Sequence, residues 1–387
     1  MGYGRIWAEI DLGKLVDNYK KVKSLCPKSR VLAPIKADAY GHGAIEVGRT
    51  LERAGIFMFG VASVEEGVEL RKGGIKTPIL VLSPIPFEEI DAIFEYGLRP
   101  TVSDPAFLDL LEDKMRFRRN KRLPIHIEVD TGMTRTGLSY GQALDMIPWI
   151  ARKRCFALEG IFTHFPSADT DSSFSRRQVS ALGRLKTRLE GQGVRAKLYH
   201  IANTAGIINR LGGPFNLSRP GIALYGLLPK DRIRDRLGLE PTMVLKAMIV
   251  NVREVPMNTP VSYGHTYRTR RKARIATLSV GYGDGYPRCL SNTGEVIIHG
   301  RRAKIIGAIC MDLLMTDVTR IPNVNVNDTA TLIGREGEAE ITAGELARRA
   351  NTVIYEIICG VGPRVPRVYH QHGRFLRVRN LFLRGLV

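Results

Sequence analysis

Nowhere in the chain do about 18 apolar residues follow one another, so no transmembrane helix can be read from it. Cysteine is sparse: Cys26, Cys155, Cys289, Cys310 and Cys359 are odd in number, scattered, and include no CxxC pair. Neither a disulfide framework nor a thiolate zinc site is indicated, and no metal site is expected. The opening stretch, MGYGRIWAEIDL, has neither the apolar core nor the small-residue cleavage site of a secretory leader. Internal repeats and low-complexity segments are also missing. What is present is ordinary globular composition, 44% hydrophobic and 25% charged over 387 residues. These features predict a soluble, cytoplasmic protein with no membrane partner.

One composition term is extreme. Lys and Arg number 58 against 38 Asp and Glu, a formal charge of +20. The excess gathers at residues 114–122, at 268–274 and after Arg364. A basic footprint favours polyanions. None of these runs lies in a zinc finger, RNP1 or helix-turn-helix pattern, however. Aromatic residues are only 7% and do not interleave with the basic runs as base-stacking platforms would. The charge is read as solvated surface, and no nucleic-acid partner is expected.

Short apolar, β-rich runs recur at residues 31–37, 57–63, 78–83, 99–104, 124–130, 158–165, 197–203 and 217–226. Helical spacing lies between them, as in Leu15, Tyr19, Val22 and Leu25. The runs are nearly continuous in hydrophobicity, as expected of strands covered on both faces. Eight such units are what a (β/α)8 TIM barrel needs. The competing doubly wound sheet would carry GxGxxG after its first strand, and that fingerprint is absent. After about residue 236 the texture changes to short alternating runs punctuated by turn residues, which predicts a C-terminal mostly-β domain. One helix is expected near 343–350, capped by Thr342. The last stretch, 370–387, reads as a basic tail.

Active sites of such barrels lie at the C-terminal ends of the strands, and here those ends are polar. The first run leads into Lys36, where an amine desolvated beside an apolar strand becomes nucleophilic. A lysine snorkelling from the rim has the same sequence. Position alone does not separate the two. Further ends carry Asp130 to Arg135, Thr163-His164-Phe165, His200 to Thr204, and Ser218-Arg219-Pro220-Gly221. Singly, His164 reads as a core histidine, Asn203 as a helix cap and Arg219 as a surface ion-pair member. Their convergence on one face argues for a site, in which Thr204, Gly221 and Ile222 offer a hydroxyl and backbone N–H groups to a phosphate.

Together these segments resemble the alanine racemase family, fold-type III pyridoxal phosphate enzymes. The Lys36 run is similar to its pyridoxal-lysine signature. Val261-Ser262-Tyr263-Gly264 is similar to the segment bearing its catalytic tyrosine. Gly281 to Gly285, Cys310-Met311-Asp312 and Arg364-Val365-Pro366-Arg367 continue the likeness, which spans residues 5–369 in order. The resemblance implies a barrel over 12–235, with 1–11 and 236–369 forming the β domain. It implies two-base racemisation of L- and D-alanine, supplying D-alanine for peptidoglycan. Lys36 would carry pyridoxal 5'-phosphate and act as the base for D-alanine. Tyr263, arriving from the second subunit of a homodimer with shared active sites, would be the base for L-alanine. Tyr40, His164, Asn203, Thr204, Arg219, Gly221 and Ile222 would bind the cofactor, with Arg219 at the pyridine nitrogen. Arg135 and the Met311 backbone would bind the substrate carboxylate, and Tyr282 would line the entry.

Two departures from the family pattern stand out. Glu128 occupies the place of a lysine that many members carbamylate, and Glu128 itself would supply the negative charge that orients Arg135. Pro363 stands where some members have a tyrosine, which leaves open a broader amino-acid racemase acting on serine or lysine. A decarboxylase of related barrel fold and a plain cofactor carrier fit less well, the first for want of its cysteine motif and the second because of the β domain.

Overall fold

The computed structural model describes residues 4–116, 122–228 and 237–379. Parts of the first and last basic runs and the expected domain boundary near 236 lie outside those residues. The chain divides into two compact units: residues 18–39 with 44–224, and residues 1–17 with 40–43 and 225–387.

The first unit is the barrel. In chain order its strands are β2 (Arg30–Pro34), β3 (Met58–Val61), β4 (Ile79–Val81), β5 (Thr101–Val102), β6 (Leu123–Glu128), β7 (Phe156–Phe162), β8 (Leu198–His200) and β9 (Leu217–Ser218). They pair in parallel in the order β4-β3-β2-β9-β8-β7-β6-β5. A bridge between Leu80 and Arg99 joins β4 to the residues leading into β5, so the ring is nearly closed. All eight expected strands are present, shorter than their apolar runs. Leu32, Met58, Leu80, Leu198 and Leu217, from five strands, form one buried cluster. That arrangement is the side-chain layer that fills such a barrel.

Helices follow the strands and start at legible signals. Ser63 accepts a hydrogen bond from Glu66 N at the start of Val64–Lys72. Ser139 and Gln142 form a reciprocal capping box at Tyr140–Arg152. Asp171 caps the long helix Ser172–Gly191.

The second unit is mostly β. Its sheet contains β1 (Ile6–Asp11), which pairs antiparallel with β10 (Met243–Val255) and parallel with the strand Arg367–Gln371. The helix Ala343–Arg349 is capped by Thr342, as read from the sequence. The expected basic tail differs from its reading over Arg374–Arg379, which forms a strand paired with Arg367–Gln371. Alternation of Leu376 and Val378 with Arg377 and Arg379, after the turn at His372-Gly373, accounts for the pairing. No described helix is long and apolar enough to cross a membrane.

Candidate active site

The C-terminal ends of the barrel strands carry Lys36 after β2, Glu128 to Arg135 at and after β6, His164 after β7, Asn203 and Thr204 after β8, and Arg219 after β9. In a parallel barrel these ends share one face, so the sequence-distant polar residues come together there.

Lys36 opens a six-residue turn, Lys36–Gly41, of an uncommon kind. Ala37, Asp38, Ala39 and Tyr40 have φ of 50–54°. Four consecutive left-handed L-residues cost about 1–2 kcal/mol each, so the turn depends on outside support. Glu66 gives it: its carboxylate accepts from Ala37 N at 2.6 Å and from Ala62 N at 2.7 Å. Asp38 accepts from Ala44 N at 2.8 Å. At the far end of the turn, Tyr40 already belongs to the second unit, and within that unit its buried ring lies 5.2 Å from Tyr225 and 6.0 Å from Tyr355.

Arg219 is 4% exposed. It is therefore no surface ion-pair member. Nη2 donates to Thr163 O at 2.7 Å and Ile201 O at 3.3 Å, and meets His164 Nδ1 at 3.1 Å; Nη1 meets His200 Nδ1 at 2.5 Å. Among the described residues its Nε makes no hydrogen bond. Burial pulls the guanidinium down to about 10, which still leaves it a cation at neutral pH. His164 is held well below the usual histidine range by burial and then by the charges of Arg219, Arg135 and Lys36. It is therefore neutral. Its Nδ1 accepts from Arg219, so its proton sits on Nε2, turned to whatever acceptor comes opposite.

Glu128 lies at the end of β6, 3% exposed. It accepts from Thr136 Oγ1 at 2.7 Å and stands 4.0 Å from Arg135 Nη2. Burial raises its pKa; Thr136, Arg135 and Arg219 oppose that rise. The loop bearing Arg135 is built on Asp130, whose carboxylate accepts from the backbone N–H groups of Gly132, Met133 and Thr134. Gln178 of the helix Ser172–Gly191 ties this loop to the next by donating to Thr131 Oγ1 at 3.2 Å and to His164 O at 3.0 Å.

Asn203 does cap a helix, accepting from Gly206 N at 2.9 Å. Thr204 Oγ1 accepts from Gly221 N at 3.0 Å and from Ala223 N at 3.4 Å. Its own hydroxyl hydrogen is thereby left to donate. Ile222 is buried beside it.

The second unit collects the remaining motifs. Asp284, fully buried, receives Arg5 at 2.5 Å and Arg364 at 2.9 Å, and Arg364 reaches on to Asp312 at 2.6 Å. Tyr282 N donates to Cys310 O at 3.1 Å and Gly283 N to Met311 O at 2.8 Å. A Cβ on Gly281 would stand 2.2 Å from Cys310 O, so only glycine allows this approach. Tyr263 is 74% exposed, and Met311 and Tyr282 are also exposed. The Tyr263 backbone is held by left-handed neighbours: Ser262 at φ 64°, Gly264 at 68° and His265 at 48°. Ser262 Oγ fixes the loop by donating to Ala308 O at 2.6 Å.

Family models for the N-terminal and C-terminal domains of alanine racemase match residues 10–229 and 242–369. The chain belongs to the alanine racemase family. It is 42% identical over 366 residues to the alanine racemase of Halothermothrix orenii, covering 94% of this chain and 96% of that one. It is 40% identical over 368 residues to that of Methanococcus maripaludis, covering 94% and 98%. The solved alanine racemase of Clostridium difficile 630 superposes with a TM-score of 0.92 at 32% identity, covering 98% and 99% of the chains. That of Bacillus anthracis with bound L-Ala-P gives 0.90 at 32%, covering 99% of each. As a member of this family the chain is an isomerase, and the family depends on pyridoxal phosphate.

The sequence reading marked neither Glu66 nor His200 as part of the candidate site. Glu66 lies one strand away from the turn it supports. His200 stood in a quoted strand end, and its signal was a histidine inside an otherwise apolar run.

Proposed function

We propose that this chain interconverts L- and D-alanine by two-base proton transfer on pyridoxal 5'-phosphate. The observation that carries the reading is the gathering of three cations, Lys36, Arg135 and Arg219, around the neutral His164 on the barrel rim. Such a rim fits an anionic cofactor and a carboxylate substrate together. Bound there, pyridoxal phosphate supplies an electron sink that acidifies the substrate Cα–H.

The chain's own groups do the rest. Lys36 holds the cofactor through its amine and moves a proton at Cα on one face. Tyr263, reaching the rim from a second copy in a homodimer, moves it on the other. Its exposure and strained flanks support that role: strain of this kind persists where surrounding structure fixes a functional residue. Arg219, which keeps its proton, would hold the cofactor's ring nitrogen as a hydrogen-bond donor. Arg135 holds the substrate carboxylate with the Met311 backbone. Thr204, Gly221, Ile222, Asn203 and Tyr40 would hold the phosphate. The D-alanine serves peptidoglycan synthesis in the cytoplasm.

Borohydride reduction of the cofactor-loaded protein followed by peptide mass spectrometry tests the central attachment. The pyridoxyl group is expected on Lys36, and its appearance on another lysine would overturn the reading. The second reading, a racemase also accepting serine or lysine, draws on the exposed Pro363. A substrate panel separates the two: turnover of alanine alone supports the first.

A further inference from the structure

Behind the rim lies a row of buried groups that the proton transfer above does not use. Arg219 Nη1 meets Nδ1 of His200 at 2.5 Å. Nε2 of His200 meets Nδ1 of His126 at 2.9 Å. Nε2 of His126 meets Oε2 of Glu159 at 3.2 Å, and Arg99 Nε donates to the same oxygen at 2.5 Å. Both imidazoles are wholly buried.

The backbone is shaped around this row. Along β6 and β7, Ile125 faces Leu158 while His126 faces Gly160, so Glu159 is the extra residue of a β-bulge. Bulges redirect side chains, and they recur beside active sites. Gly160 makes room for the His126 ring: a Cβ there would stand 2.3 Å from Nδ1. Phe162 stacks on His200 at 4.7 Å between centroids and fixes its plane.

The protons can be placed by elimination. Burial pulls both imidazoles below the usual range, so each is neutral, with one donor and one acceptor nitrogen. Burial alone would raise Glu159, but His126 and Arg99 outweigh it and hold the carboxyl at about 2, ionised and able only to accept. At the other end Arg219 can only donate. Turning both rings' protons to Nδ1 would set His200 N–H against Arg219 N–H, and a His126 lone pair against the Glu159 carboxylate. Turning one ring alone would face two N–H groups, or two lone pairs, across the gap between the rings. Only protons on Nε2 of both rings satisfy every contact.

We propose that Arg219, His200, His126 and Glu159 form a one-way hydrogen-bond relay through the barrel, in which His126 and Glu159 are positioning residues that fix His200 as the acceptor of Arg219. The proposal rests on the reading of Arg219 as a group of the active site. Glu159, three hydrogen bonds away, then governs how firmly the guanidinium is held. Without it the His126 proton is no longer bound to Nε2, His200 can turn its N–H toward Arg219, and the guanidinium loses an acceptor.

Neutron diffraction from deuterated crystals of the holoenzyme tests this on the unaltered protein. Deuterons are expected on Nε2 of His126 and of His200, with none on either Nδ1. A deuteron on Nδ1 of either ring, or a doubly protonated ring, would overturn the relay. A Glu159→Leu variant adds a dynamic readout. Nitrogen-15 histidine spectra should show His200 populating both tautomers, with kcat for alanine falling about 10-fold and KM within about twofold. A single Nε2–H form of His200 together with an unchanged kcat would count against it. Failure of the underlying reading looks different. A protein with both protons on Nε2 that does not racemise alanine keeps the relay and loses the reading, whereas racemisation with a proton on Nδ1 does the reverse.

Discussion

Glu128 shows how one residue reshapes a site. Its carboxylate is buried, bonded to Thr136 and 4.0 Å from Arg135, and on the proposed function it would supply the negative charge that orients the guanidinium. Removing that charge frees a half-exposed arginine, so Glu128→Gln is expected to raise KM for alanine about 10-fold with a smaller effect on kcat. Steady-state kinetics decide it, and unchanged activity and alanine affinity would refute the role. The pH dependence has a definite sign. Burial raises the Glu128 pKa, so its charge is present above that raised value and is lost as pH falls through it. KM should rise over that range in the native enzyme and stay flat in the variant. The stability linkage runs oppositely. The folded state binds this proton more tightly than the unfolded chain, so stability declines as pH rises from the ordinary carboxylate value through the raised one.

At the scale of elements, the turn Lys36–Gly41 carries the site's most unusual backbone, with φ of 50–54° at four non-glycine residues. Two substitutions probe it. Ala37→Gly, at an exposed position, relieves left-handed strain and should stabilise the protein by about 1 kcal/mol. Glu66→Gln weakens the two N–H contacts that anchor the turn and should destabilise it by about 1–3 kcal/mol. Urea denaturation measures both. Little of this turn could be read beforehand, because Lys-Ala-Asp-Ala-Tyr has the composition of an ordinary right-handed helix. The deciding contact, Glu66 to Ala37 N, is 29 residues away. The barrel strands were legible because burial on both faces leaves continuous apolar runs. Caps such as Thr342 were legible because the chemistry is local. His126 and Glu159 were not, since a bulge between distant strands brings them together. Arg374–Arg379 was misread because its arginines masked a short alternating strand.

For the whole molecule, the +20 charge says little about the chemistry. Lys36, Arg135 and Arg219 are the cations assigned to the proposed site, while the run 268–274 lies outside every short motif that carries the family resemblance. The weightier feature is that the residues assigned to catalysis fall in two units: Lys36 in the barrel, and Tyr263 exposed in the β unit. If each active site joins the barrel of one copy to Tyr263 of another, two inactive variants should complement each other. Lys36→Ala and Tyr263→Phe are each expected to exchange alanine Cα–H for solvent deuterium without appreciable racemisation, or not at all. Mixed and allowed to trade subunits, they form heterodimers in which one of the two sites is intact. Recovery of about a quarter of native racemisation is then expected from random pairing in a twofold dimer. No recovery after demonstrated subunit exchange, or native racemisation by either variant alone, would contradict the account.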